Sequence, residues 1–278
     1  MTNHTARVER YNAAGTAGEA PAYTIGTLVT DKNLYAAMIA SLQAGGFTAG
    51  RCEYLYIDNS ASSGTGAYQG LNAILNAAKA PYVILCHQDV RLLTDTCEVL
   101  DQRLKQLTEK DPAWAVAGNA GGVCPGKLAL RISDPHGENQ HTGELPQRVV
   151  SLDENFLVVA RDARIGFSHD LSGFHFYGAD ICLHAAHMGR TAYVIDFHLR
   201  HLSPGRKNQD FDLAEKAFRS KWSAALKPRW IQTTCALVHI SGAPGRSKLG
   251  HVIDRPLARL ARRLPRARGW TSASREPA

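Results

Sequence analysis

The sequence predicts an α/β domain built on a mainly parallel sheet, and three observations carry that expectation. Segments of strand character alternate with helical segments at the lengths of βαβ units. The run from Tyr82 to Cys86 (YVILC) is continuously apolar, as a strand buried on both faces requires. Predicted strands run out into Asp31, Asp58 and Asp89, and open α/β sheets bind ligands at the carboxyl ends of their strands.

The first twenty residues are small and polar and are expected to fray. Tyr23 to Thr30 has the β-branched and aromatic content of a strand. Leu34, Met38 and Leu42 then fall at helical spacing, and Gly45-Gly46 stops that helix. A second strand, Glu53 to Ile57, ends in Asp58-Asn59-Ser60. Tyr68 to Lys79 reads as a helix with Leu71, Ile74, Leu75 and Ala78 on one face, and Pro81 breaks it before the YVILC strand. Asp95 to Leu107 is a helix and Trp114 to Ala117 a core strand. Residues 118–147 are glycine-rich and read as one long irregular loop of functional character. Strand character returns from Val149 to Ala160, helix from Asp180 to Met188, and a short strand from Tyr193 to Ile195. A last helix runs from Leu213 to Leu226.

The chain has 278 residues, 44% of them apolar, with ordinary glycine and proline usage, so collagen-like and wholly disordered classes are excluded. The longest plainly apolar run, Ala80 to Cys86, is far short of the ~20 residues that span a bilayer. The first twenty residues lack the apolar stretch of a secretory signal. Six cysteines (Cys52, Cys86, Cys97, Cys124, Cys182, Cys235) form no C-x-x-C, so reduced thiols and a cytoplasmic location are expected.

The net charge of +7 is uneven. Of 32 Lys/Arg and 25 Asp/Glu, nine and two lie in residues 244–278, so the first 243 carry 23 of each sign. The body is neutral, and no nucleic-acid partner is implied. In the basic tail Asp254 can cap a helix that Pro265 ends, with Ile253, Leu257, Leu260 and Leu264 as its apolar stripe. Trp270 follows, and such a stretch suits an anionic membrane surface on the inner face; a solvated, disordered tail is the alternative.

Asp58-Asn59-Ser60, Asn72, the segment Tyr82 to Asp89, Gly173 to Ala185 and Asp196 to Ser203 occur in an order that resembles family 2-like glycosyltransferases with the GT-A fold. The resemblance covers roughly Tyr23 to Pro204. It implies a three-layer α/β/α sandwich with a short C-terminal helical extension. The expected segments are a flexible 1–20, a GT-A-like domain over 21–205, the extension over 206–243 and the amphipathic tail over 244–278. It also implies inverting transfer of a sugar from a nucleotide-diphosphate donor to a hydroxyl acceptor, a glycan or a lipid-linked glycan, with Mn²⁺ or Mg²⁺ as cofactor.

Within that resemblance Asp89 corresponds to the last acid of the D-x-D motif, and His87 stands where the first acid is expected. A carboxylate at a strand end can bind a hard divalent cation, which in turn holds two phosphates. His201 resembles the strand-end histidine that completes the metal site; His198 is expected on the other side of the strand, and His184 and His187 as solvated or core residues. His87 is read either as a contact to ribose or phosphate or as filler. Asp31 and Asp58 read as contacts to base and ribose, or as turn-forming aspartates; Asn72 caps or braces the pocket.

Asp180, at the start of its helix, is expected to be the catalytic base, with capping as its plain alternative. Asp153, Asp170 and His175 are the acceptor-side candidates, with solvated loop acids as the plain alternative for the two aspartates, the reading favoured for Asp170. A nucleotidyltransferase would want a glycine-rich, basic phosphate loop after the first strand, where Thr30-Asp31-Lys32-Asn33 stands instead. A sugar-nucleotide or glycan-binding module without catalysis is the non-enzymatic rival.

Overall fold

The computed structural model of the protein describes residues 6–11, 20–61, 64–205 and 207–242. Along the chain come β1 (Glu9–Arg10), β2 (Tyr23–Val29), α1 (Lys32–Ala44), β3 (Cys52–Asp58), α2 (Ala67–Ala77) and β4 (Tyr82–Cys86). They are followed by β5 (Val90–Leu92), α3 (Cys97–Lys110), β6 (Trp114–Gly118), β7 (Ala120–Cys124), β8 (Lys127–Asp134) and β9 (Gly137–Thr142). Then come β10 (Gln147–Val149), β11 (Ser151–Leu152), β12 (Phe156–Ala160) and α4 (Tyr177–His187). β13 (Thr191–Val194), β14 (Leu199–His201), α5 (Gln209–Leu226), β15 (Arg229–Gln232) and β16 (Leu237–Ile240) complete the described chain.

The chain divides into two compact units, Met1–Phe218 and Arg219–Ala278. In the first, the large sheet has the order β1-β3-β2-β4-β12-β6-β13-β10. Strands β3, β2, β4, β6 and β13 share one direction, and β12 is inserted antiparallel between β4 and β6. The expected mainly parallel sheet is thus a mixed one, parallel in its β3-β2-β4 core. Within the second unit, β15 and β16 form an antiparallel pair.

Helices cover both faces. α1 buries Tyr35, Met38, Ile39 and Leu42, and α3 buries Leu100, Leu104 and Leu107, the i, i+4, i+7 stripe of an amphipathic helix. Both pack on one face of the sheet with Ile25, Ile84 and Phe156. α2 and α4 cover the other face, with Leu71, Ile74 and Ile181 against Val83, Leu85 and Leu157. This is the expected three-layer α/β/α arrangement. Gly26 sets its closeness, because a Cβ there would stand 2.4 Å from Ile74 Cγ2 of α2.

Residues 118–147, expected to be irregular, contain β7, β8 and β9, which build a second sheet of order β11-β7-β8-β14-β5 with β9 on β8. The Pro125-Gly126 and Pro135-His136-Gly137 stretches are hairpin turns, with Gly126 at φ +76°. The strand character expected from Val149 to Ala160 is divided among β10, β11 and β12: Val150 separates the first two, and Asp153 turns the chain between the last two, its Oδ1 accepting from the Asn155 amide at 2.9 Å. The tail helix expected after Asp254 lies outside the described residues. Among the described residues no helix is long and apolar enough to cross a membrane.

Candidate functional site

The two sheets meet where β4 ends. His87, Gln88 and Asp89 carry the chain from β4 to β5, and β5 pairs antiparallel with β14, Val90 opposite His201. The Leu202 amide donates to the Asp89 carbonyl at 3.1 Å. This register delivers His201 onto the residues that follow β4. Its Nε2 lies 3.2 Å from His87 Nδ1 and 3.3 Å from Asp89 Oδ1, and the third edge, His87 Nδ1 to Asp89 Oδ1, is 3.9 Å.

Neighbouring ligands of a six-coordinate ion with bonds near 2.1 Å stand roughly 3 Å apart. The three edges approach one face of such a shell, leaving the opposite face open, and the set is the metal-capable cluster found among the described residues. Two imidazoles beside one carboxylate suit Mn²⁺ better than Mg²⁺, which prefers an all-oxygen shell. The residues therefore fit a divalent cation, the cofactor that the sequence resemblance implies.

Burial and the mutual charges of the three residues set their protonation. Burial alone would raise the Asp89 carboxyl, yet the hydrogen bond and charge of His201 hold it down to about 2. His201 is shifted upward: burial opposes its charge, and Asp89 outweighs burial. His87 is shifted downward by burial and then by His201. Neutral His87 needs its proton on Nε2 if Nδ1 is to face a cation, and Nε2 lies 2.8 Å from Tyr177 Oη. Tyr177 in turn donates to the Glu154 carbonyl at 3.2 Å, so a donor chain leads out from His87 and holds that tautomer.

Beside the triad lies a cavity of about 240 Å³, lined among others by Thr30, His87, Gln88, Asp89, Glu154 and Tyr177. Gln88 binds its rim together: Oε1 accepts from the Thr30 and Asp31 amides, each at 2.9 Å, and Nε2 donates to Thr30 Oγ1 at 2.7 Å. Glu154 sits at the first turn of α4, Oε1 3.4 Å from the Gly178 amide. A Cβ on Gly178 would stand 2.2 Å from the Leu152 carbonyl and 3.2 Å from Glu154 Cγ. The space beside Gly178 is therefore filled by the chain itself.

Burial, and then the charge of Asp153, push the Glu154 carboxyl up to about 8, against the pull of the α4 amides. The unfolded chain releases this proton near its ordinary value, while the folded chain keeps it to about pH 8. Between these two values the folded state binds the extra proton, so this group's contribution to stability falls as pH rises through that window. The stability of Glu154→Gln relative to wild type is therefore expected to increase from about pH 5 to about pH 8. Urea unfolding in EDTA measures it, and a difference independent of pH refutes it.

The other predicted residues are placed as follows. Asp180 is fully buried in the first turn of α4, which begins at Tyr177 and not at Asp180. Its Oδ2 accepts from the Ser168 amide at 2.8 Å and its Oδ1 from Ser168 Oγ at 2.7 Å, so it faces away from the cavity. Asp31 is the N-cap of α1, accepting from the Asn33 and Leu34 amides. Asp58 pairs with Lys32 at 2.8 Å and accepts from Ser60, which hold its carboxyl well below the usual range.

Asn72 clamps the Phe167 backbone through both amide atoms, at 2.8 and 2.9 Å. Asp153 and Asp170 are exposed, and Asp153 turns the chain into β12. The His175 ring packs on Phe211, centroids 5.3 Å apart. His198 hydrogen-bonds Ser133 at 2.9 Å, away from the triad. The structure thus joins His87, Asp89 and His201, keeps Asp153 near enough for its charge to act on both histidines, ties the Asp31 backbone to the rim through Gln88, and adds Glu154, Tyr177 and Gln88.

No family model matches the chain. Among solved structures it is similar to a mannosyltransferase from Pyrobaculum calidifontis in complex with GDP-Man and Mn²⁺, at 13% identity and a TM-score of 0.50, covering 74% of this chain and 64% of that one. A structure of GalNAc-T7 with UDP, GalNAc and Mn²⁺ gives 8% identity and a TM-score of 0.47, over 67% of this chain and 45% of that one. The fold is a mixed α/β fold of the GT-A type, with a central, partly parallel sheet. In sequence it is 34% identical over 226 residues to the ATP synthase subunits region ORF 6 protein of Fuscovulum blasticum, a match that covers 79% of this chain and 91% of that protein. On that likeness the chain belongs to the family of the Fuscovulum blasticum ORF 6 protein.

Proposed function

We propose that the protein transfers a sugar from a nucleotide-diphosphate-sugar donor to a hydroxyl acceptor, with inversion, in a reaction that depends on a divalent cation. The observation that carries this reading is the His87–Asp89–His201 triad opening onto a cavity at the carboxyl end of the central strands. The similar mannosyltransferase was solved with GDP-Man and Mn²⁺, a donor and ion of the chemistry that this cavity suits.

His87, Asp89 and His201 would hold the cation, which supplies positive charge to the leaving diphosphate. Tyr177 orients His87. Gln88 fixes Thr30 at the rim, where a nucleotide enters. Glu154 is the base in this reading: it lines the cavity, and its elevated carboxyl gains basicity as it ionises. A single displacement requires one base and one stabilised leaving group, and no covalent nucleophile.

The test is donor hydrolysis in the absence of acceptor. Sugar nucleotides of UDP, GDP, dTDP and CMP are incubated with the full chain, with Mn²⁺ or with EDTA. Mn²⁺-dependent release of one nucleotide is expected. Tight Mn²⁺-dependent binding without turnover, under every acceptor offered, supports a binding module and overturns the transferase.

The basic tail is proposed as an anchor on anionic membrane surface, which would place a lipid-linked acceptor within reach. The full chain is then expected to pellet with anionic vesicles and a 1–243 truncation to stay in the supernatant. Equal pelleting of both refutes the anchor.

A further inference from the structure

A second cavity, of about 490 Å³, lies at the other end of β12 from the triad. Phe156 pairs with Cys86 beside His87, and Ala160 pairs with Tyr82 four residues on, roughly 13 Å away along the strand. There the chain makes a 3₁₀ turn, Arg161–Ala163, closed by the Arg164 amide on the Arg161 carbonyl at 3.2 Å. Arg161 opens this turn and Arg164 follows it. Both side chains line the cavity, together with His169, His184, Asn76 and Phe167 among others, and no carboxylate is in its wall.

Both guanidiniums are left with their charge uncommitted. Among the described residues neither Arg161 nor Arg164 has a carboxylate within ion-pair distance; Arg161 donates only to the Lys79 carbonyl, at 3.1 Å, which fixes its direction. Both arginines also border the neighbouring cavity, whose wall includes Asp162, but no Asp162 oxygen comes within ion-pair distance of either guanidinium. Arg164 adopts φ 51° and ψ 39°, a left-handed conformation unfavourable for an arginine. The His184 ring is held by Ser168 Oγ at 2.9 Å, and the Phe167 backbone by the Asn72 clamp, so the wall is braced before any ligand arrives.

We propose that this cavity binds a phosphate-bearing small molecule, its phosphate held between Arg161 and Arg164. Guanidinium forks match phosphate oxygens in pairs, and two of them on one cavity whose wall holds no carboxylate can each take an oxygen pair of a phosphate dianion. The imidazoles and the Asn76 amide supply further donors. Phe167 and its apolar neighbours leave room for a non-polar body attached to the phosphate. The site is independent of the triad, and its failure would leave the reading of the triad untouched.

Calorimetric titration of the full chain with inorganic phosphate, and with phenyl phosphate, tests it. EDTA is present throughout and ionic strength is held constant with NaCl. One saturable site is expected, with phenyl phosphate the tighter ligand. Arg164→Gly should weaken it by ~10-fold or more, the loss of one charge-assisted pair of hydrogen bonds. Glycine suits the left-handed conformation, so this variant should melt no lower than wild type. Arg161→Gln should weaken it too, and both variants should retain Mn²⁺ binding. Unchanged affinity in both, or the absence of saturation, overturns the proposal. Loss of phosphate binding in His87→Ala also overturns it, because the anion would then be at the triad.

Discussion

Asp89→Ala is expected to abolish the Mn²⁺-dependent part of nucleotide-sugar binding, and His201→Ala to weaken it nearly as far. Removing a residue that merely supports a metal ligand costs ~10–100-fold in affinity. Asp89 supplies the single carboxylate among three donors, so its loss should exceed that range. Two effects compound in Asp89→Ala: one ligand disappears, and His201 loses the neighbour that keeps its imidazole in place. The measurement is titration of UDP and GDP with and without Mn²⁺, monitored by calorimetry. Undiminished Mn²⁺ dependence in Asp89→Ala would place the cation elsewhere. Tyr177→Phe makes a graded companion: it removes the hydroxyl on His87 Nε2 but no ligand, so a smaller loss is expected.

Glu154→Gln is expected to lower turnover by ~10²-fold or more while leaving donor affinity close to wild type, the behaviour of a lost general base. Glutamine keeps the size of the side chain and can still accept from the α4 amides, so the fold is not at stake. Asp180→Asn should behave in the opposite way. Its carboxylate accepts two hydrogen bonds from Ser168 in a fully buried position, and weakening charged bonds of this kind costs ~1.5–3 kcal/mol each. Lower thermal stability is therefore expected for Asp180→Asn, with per-molecule turnover preserved at temperatures where it is folded. Steady-state kinetics alongside melting curves separates the two carboxylates. If Asp180→Asn loses turnover without losing stability, the roles are reversed.

The elements of the large sheet were legible because local signals wrote them. YVILC is too apolar for an exposed strand, and Gly45-Gly46 stops α1 where the helical spacing ends. The second sheet is hard to read from sequence because β7 (AGGVC) is glycine-rich, β8 (KLALRISD) carries charges along its length and β9 (GENQHT) has no apolar side chain; the turn residues Pro125-Gly126 and Pro135-His136 are its clearest local sign. Asp89 and His201 were readable as strand-end residues near a recognisable motif. Glu154 was not, and the reason is topological. Its place beside the cavity follows from β12 running antiparallel to β4, with Phe156 opposite Cys86. Nothing in the local sequence gives the direction in which a strand enters a sheet. The surroundings of Asp180 were hidden by the same lack: helix α4 begins three residues earlier than the sequence suggests, so Asp180 lies within its first turn and not at its start.

The triad joins side chains 114 positions apart, and it does so through β14, a strand of three residues. Closing so long a loop is entropically unfavourable until β5 and β8 are both in place to receive that strand. During folding the centre should therefore be a late arrival, formed after the β3-β2-β4 core. A nascent chain that has not yet released His201 carries two of the three ligands and no centre. In the mature protein the same dependence runs backwards. Damage to the small sheet should erode metal affinity well before the large sheet loosens, so ion binding is a more sensitive gauge of native completeness than any probe of helix content.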